Sequence, residues 1–335
     1  MNAKALILAP FTDEYLDRLR QHGPVTYEPW TETRRVQNPD ALADRLRDER
    51  VNLVVVEADF LRESAFAVGS LKLAGCVRNG LNLIDLEAAT KHRVPVINAP
   101  GRNAVAVAEL TIGLMLALAR HIPAAHAFTV DGRWDNPYDA YIGFRGRELA
   151  SSVVGILGFG GIGRETAKRA RCLGARVIAH DPYASPRRAQ AIGARLVSFE
   201  SLLRRADFLT LHTALTPETE KMLDGDALDL MQPSAYIVSV GANNLFDDDA
   251  LAARLRERRI AGAALDVFRG HFMAADSPFR GLANVILTPH IGGATRETIV
   301  RQSRMITEDI ERFLRGGRPR RIANPDALTA GSRGR

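Results

Sequence analysis

Short runs of Val, Ile, Leu and Ala recur along the chain with helical stretches between them, an alternation that predicts parallel sheets built from strand–helix–strand units. The runs fall into two sets. The first comprises Ala5–Ala9, Leu53–Val56, Leu71–Cys76 and Val94–Ile97; the second comprises Val153–Leu157, Arg176–His180, Phe208–His212, Tyr236–Val240, Gly262–Asp266 and Val285–Leu287. Between the sets lies Asn103–Ile122, apolar almost all round, which predicts a helix buried against another domain or subunit. A polar, aromatic and glycine-bearing stretch, Asp131–Glu148, leads from it into the second set.

A length of 335 residues exceeds what one hydrophobic core usually serves, so two domains are expected. With 46% hydrophobic and 25% charged residues, the composition excludes collagen-like, low-complexity and wholly disordered classes. The apolar run Thr111–Ala119 is far short of the roughly 20 residues that span a bilayer, so no membrane helix is expected. Ala5–Pro10 reads as a first strand rather than a signal peptide, and a cytoplasmic location follows as the default. Cys76 and Cys172 form neither a disulfide framework nor a metal quartet, and both are read as small buried hydrophobes; no metal site is expected.

Lys and Arg total 45 against 39 Asp and Glu, giving a net charge of +6, which raises the question of nucleic acid. The distribution argues against it. The excess is conspicuous in Arg315–Arg321 and Arg333–Arg335, which reads as a solvated helix end followed by a tail.

The strongest local motif begins at Val153. The strand Val153–Leu157 runs into Gly158-Phe159-Gly160-Gly161-Ile162-Gly163 and then into the helical Arg164–Ala170. In that context Gly158 permits the tight turn, Gly160 lets backbone approach a pyrophosphate and Gly163 packs helix on strand. With Gly161 and Ile162, the helix N-terminus supplies oriented N–H donors. Asp181 closes the next strand, where a carboxylate accepts the ribose hydroxyls of NAD and repels the extra phosphate of NADP. NAD is therefore the expected cofactor.

From about Leu71 to Pro325 the chain resembles the D-isomer-specific 2-hydroxyacid dehydrogenases. The resemblance rests on several segments in order. They are Arg78-Asn79-Gly80 with Ile84-Asp85, Asn98–Asn103 with Val107-Ala108-Glu109, the glycine motif with Asp181, and Leu211-His212 before Leu215–Thr219. Gly262–Phe268 and Thr288-Pro289-His290-Ile291-Gly292-Gly293 complete the series.

The resemblance implies an α/β protein with two doubly wound parallel-sheet domains. A Rossmann NAD-binding domain, 103–292, would be inserted in a flavodoxin-like substrate domain, 1–102 and 293–335, and the helix Asn103–Ile122 would build a homodimer. It implies that His290 shuttles a proton while hydride passes between the nicotinamide and C2 of a small 2-hydroxy or 2-keto acid. It also implies that backbone around Asn79 and Gly80 holds the substrate carboxylate, that His212 belongs to the cofactor site, and that Asp266 faces the nicotinamide carboxamide.

Two positions depart from the family pattern. Ser239–Asp247 reads S-V-G-A-N-N-L-F-D, which puts Ala242 where the family has its carboxylate-clamping arginine. Asp266–His271 reads D-V-F-R-G-H, which puts His271 where a glutamate pairs with the catalytic histidine. Losing the arginine removes a bidentate, permanently charged partner, and a second imidazole opposes protonation of the first. Three readings follow. The first is an NAD-dependent dehydrogenase with an atypical site in which Arg269, Arg78 or Asn243 replaces the lost contacts and His271 stands beside His290. The second is a catalytically impaired NAD-binding sensor or interaction protein, and the third a nucleic-acid-binding protein using the basic tail.

Overall fold

The computed structural model describes residues 3–270 and 272–329. His271 and the Arg333–Arg335 tail therefore lie outside the described residues. The chain divides into two compact units, parting between Arg102 and Asn103 and again between Ala294 and Thr295.

The first unit holds a five-stranded parallel sheet of β1 (Ala5–Ile7), β2 (Val25–Tyr27), β3 (Leu53–Val56), β4 (Leu73–Cys76) and β5 (Val96–Asn98), in the flavodoxin-like order β2-β1-β3-β4-β5. The strands are buried on both faces, which is why they read as continuous apolar runs rather than as alternations. Leu6, Val54, Val56, Ala74 and Val96 pack on one side of the sheet, and Ala5, Ile7, Leu53, Val55 and Ile97 on the other. Burying each of the larger side chains contributes roughly 1.5–3 kcal/mol. The helix Arg296–Leu314, capped by the Thr295 side chain on the Thr298 N–H, packs in this unit against helix Asp13–Arg20. There Glu311 takes Arg18 through paired bonds of 3.0 and 2.8 Å.

The second unit holds seven parallel strands: β6 (Val153–Leu157), β7 (Arg176–His180), β8 (Ala194–Leu196), β9 (Phe208–Leu211), β10 (Tyr236–Ser239), β11 (Gly262–Leu265) and β12 (Val285–Leu287). Their order, β12-β11-β10-β9-β6-β7-β8, is that of a Rossmann sheet, and its direction of winding reverses between β6 and β9. Val154, Ile156, Val177 and Phe208 face one helical layer; Val153, Leu157, Ile178 and Leu209 face the other. Gly155 is required here, because a Cβ would lie 2.7 Å from Ala206 Cβ.

Two expectations need correction. The apolar helix spans Ala104–Ala119, and Val107, Ile112, Met115 and Leu118 are buried within its own unit, against helix Gly161–Cys172 and the sheet. Glu109 and Gly113 remain exposed on its other face. The large apolar side chains left exposed belong to the following segments, helices Ile122–Val130 and Pro137–Gly143, neither of which buries a residue. Cys172 is exposed, whereas Cys76 is buried as expected, and its surroundings push that thiol up. Among the described residues no single helix is long and apolar enough to cross a membrane.

Candidate active site

Six loops of the second unit leave the carboxyl ends of consecutive neighbours in the sheet, β7, β6, β9, β10, β11 and β12. They carry Asp181, Gly158–Gly163, His212, Ala242 with Asn243, Asp266 with Arg269, and His290. Loops gathered at that edge, around the point where the winding reverses, form the ligand crevice of an open α/β sheet.

The turn after β6 is shaped for a dinucleotide. Gly158 has φ +89°, and a Cβ there would lie 2.5 Å from the Thr213 nitrogen; a Cβ on Gly163 would lie 2.2 Å from the Gly158 oxygen. Gly160, by contrast, has nothing within 4 Å of a built Cβ, so backbone is open to a ligand at the start of helix Gly161–Cys172. That helix supplies the positive end of its dipole there. Asp181 closes β7 and accepts from the Phe159 N–H at 2.7 Å and the Tyr183 N–H at 2.8 Å, which fixes its carboxylate against the glycine turn. These residues fit NAD, whose pyrophosphate needs the open backbone and whose ribose hydroxyls need the acceptor.

His290 stands in the turn after β12 with φ 54°, in the left-handed region that a side chain with a Cβ rarely adopts. Asp266 holds that turn. Its carboxylate is fully buried and accepts from the Thr288 hydroxyl at 2.6 Å, the Ile291 N–H at 2.9 Å and the Gly292 N–H at 2.8 Å. Asp266 is buried, and these three hydrogen bonds shape the His290 turn. Sequence reasoning missed this role and that of Thr288, although both lie in the segments that carry the family resemblance.

The His212 ring stands behind the glycine turn. Its Nε2 lies 3.0 Å from the Thr210 hydroxyl and 3.3 Å from that of Thr166, and its Nδ1 is buried without a hydrogen-bond partner. Burial drives the imidazole down to about 3, so it is neutral at physiological pH. Asn243 donates from its side-chain nitrogen to the Phe268 carbonyl at 3.2 Å, tying the loop after β10 to the loop after β11. Ala242 packs against the apolar core beside it. Arg269 is exposed, and its charge acts on Lys221 and Asp248.

Arg78, Asn79 and Gly80 belong to the first unit, at the carboxyl end of β4. Their carbonyls accept from the Ala99 N–H at 3.3 Å, the Asn98 amide at 3.1 Å and the Cys76 thiol at 4.0 Å, so the turn is anchored from beneath.

A glycine turn and an acidic strand end at the carboxyl edge of a doubly wound parallel sheet define the class of dinucleotide-binding α/β proteins. The profile for "D-isomer specific 2-hydroxyacid dehydrogenase, NAD binding domain" matches residues 112–292, and the chain belongs to that family. NAD is the cofactor of the matched unit. The chain is 35% identical over 96% of its length to a D-3-phosphoglycerate dehydrogenase of Methanocaldococcus jannaschii, and it spans only 59% of that relative. It is 36% identical over 84% of its length to a glyoxylate reductase of Thermococcus litoralis, covering 85% of that protein. Its fold superposes with a TM-score of 0.85, at 27% identity over 96% of this chain and 99% of the other, on a putative NAD-binding D-isomer specific 2-hydroxyacid dehydrogenase from Polaromonas.

Proposed function

We propose that this chain interconverts a small 2-hydroxy acid and its 2-keto acid, with His290 holding the hydroxyl proton. The observation that carries the reading is the turn that Asp266 fixes around His290, on the same sheet edge as the glycine turn. When bound, NAD supplies the site that accepts or donates the hydride. The Gly158–Gly163 backbone would bind the pyrophosphate and Asp181 the ribose hydroxyls, favouring NADH over NADPH. In the reducing direction the His290 imidazolium gives its proton to the carbonyl oxygen, and in the oxidising direction the neutral ring takes it back. Backbone N–H groups at Asn79 and Gly80 would receive the substrate carboxylate. The protein would work in the cytoplasm as a homodimer.

Ala242 makes the site atypical, since no neutral methyl group reproduces a guanidinium clamp. Arg78 is the residue we assign to take over part of that charge. Arg269 is a weaker candidate, because its charge already acts on Asp248. Native turnover of pyruvate and glyoxylate should therefore be slow, and Ala242→Arg should raise kcat/KM on them by on the order of 10²-fold. Steady-state NADH oxidation checks this. Rapid native turnover of both acids, unchanged by the substitution, would show that the clamp is already supplied elsewhere.

A further inference from the structure

The first unit carries a cavity that the reading above does not use. It lies at the amino end of the sheet, opposite the Arg78–Gly80 edge, and is walled by residues just before β4 and β5, by the end of helix Arg296–Leu314 and by helix Asp326–Thr329. Its volume is about 440 Å³, within the range of small-molecule sites. Phe66, Leu71, Pro95, Phe313 and Leu328 make an apolar floor. Lys72, His92 and Arg93 also line it, and no carboxylate contributes to the lining.

The charges at this rim are unbalanced. Lys72 and Arg93 have no carboxylate partner among the described residues; the Lys72 ammonium donates only to the Gly69 carbonyl, at 3.2 Å. Glu63, which does not line the cavity, takes the Lys91 ammonium at 2.5 Å and pairs with His92 Nε2 at 3.7 Å.

We propose that this cavity binds a small organic anion, a carboxylate on a compact apolar body. The body packs on Phe66, Leu71 and Phe313, while the carboxylate meets Lys72 and Arg93. An apolar floor selects against bare inorganic anions, and two uncompensated cations select against neutral or cationic ligands. The site is separate from the dinucleotide turn, so occupation does not compete with NADH.

Calorimetric titration of the NADH-saturated protein with phenylacetate and isovalerate tests this. Phenylacetamide supplies the body without the charge, and inorganic phosphate the charge without the body. At least one carboxylate should bind saturably at one site per chain. Lys72→Gln and Arg93→Gln, both at exposed positions, should each weaken it about tenfold. Ala67→Trp, at an exposed lining position, should fill the cavity and abolish binding while NADH affinity stays unchanged. The proposal is overturned if neither carboxylate saturates, if phenylacetamide or phosphate binds as tightly, or if the two charge variants bind as the native chain does. The readout is heat of binding rather than turnover, so its failure leaves the proposed reaction standing.

Discussion

Asp266 holds the His290 turn through its buried carboxylate. A left-handed backbone at His290 persists only while its surroundings hold it, and three hydrogen bonds to one buried carboxylate do so. In Asp266→Asn the amide nitrogen would face a donor in place of an acceptor, leaving a buried N–H unpaired. Turnover is expected to fall at least about tenfold while NADH affinity holds, because the glycine turn lies on other loops; native rates in this variant would show that the turn holds itself. His212 makes a second prediction at this scale. Its folded imidazole titrates near 3, so the native state refuses a proton that the unfolded chain accepts below about 6.5. The neutral ring's contribution is therefore intact above that pH and lost as pH falls, at about 1.4 kcal/mol per pH unit. Urea unfolding at a series of pH values should show His212→Gln losing less stability on acidification than the native chain; equal slopes would mean that the buried ring does not set it.

At the scale of elements, helices Ile122–Val130 and Pro137–Gly143 stand out because neither buries a residue while Ile122, Val130, Tyr138, Tyr141 and Ile142 are largely exposed. An apolar set of that size on consecutive helices marks an interaction surface, and a second copy is the occupant the proposed homodimer requires. Sedimentation should give a dimer at micromolar concentration, and Tyr141→Glu should shift it toward monomer. A native monomer under those conditions would contradict the assignment. The strands themselves were largely legible, because doubly covered parallel strands leave continuous apolar runs that are too short for a buried helix such as Ala104–Ala119. The edge strands β2 and β8 escaped the pattern. Val25–Tyr27 is only partly buried, and Ala194–Leu196 carries an exposed arginine, so neither reads as an apolar run. Asn103–Ile122 was legible as a buried helix but not as to what buries it, since composition records burial and not the covering partner. In the site, glycine spacing and Asp181 were readable because backbone clearance dictates them. The work of Asp266 was not, because hydrogen bonds across 22 and 26 residues leave no local trace.

Across the whole molecule, the chain crosses between its units twice, after Arg102 and after Ala294. At the first crossing Arg102 is fixed within its own unit by Glu57, at 2.5 Å, and by Gln302, while Trp30 donates to the same Glu57 at 2.9 Å. Each unit therefore presents its own fixed groups, the dinucleotide and histidine turns in one and Arg78–Gly80 in the other. The central claim is that NADH-dependent chemistry passes through a proton on His290. Its most direct test compares native protein with His290→Gln on NADH and a panel of 2-keto acids, measuring turnover and NADH affinity in parallel. The native chain should turn over saturably, His290→Gln should lose about 10²–10⁴-fold in kcat, and NADH binding should be unchanged. Native protein that binds NADH but reduces none of the panel, or a variant that turns over at the native rate, would contradict it.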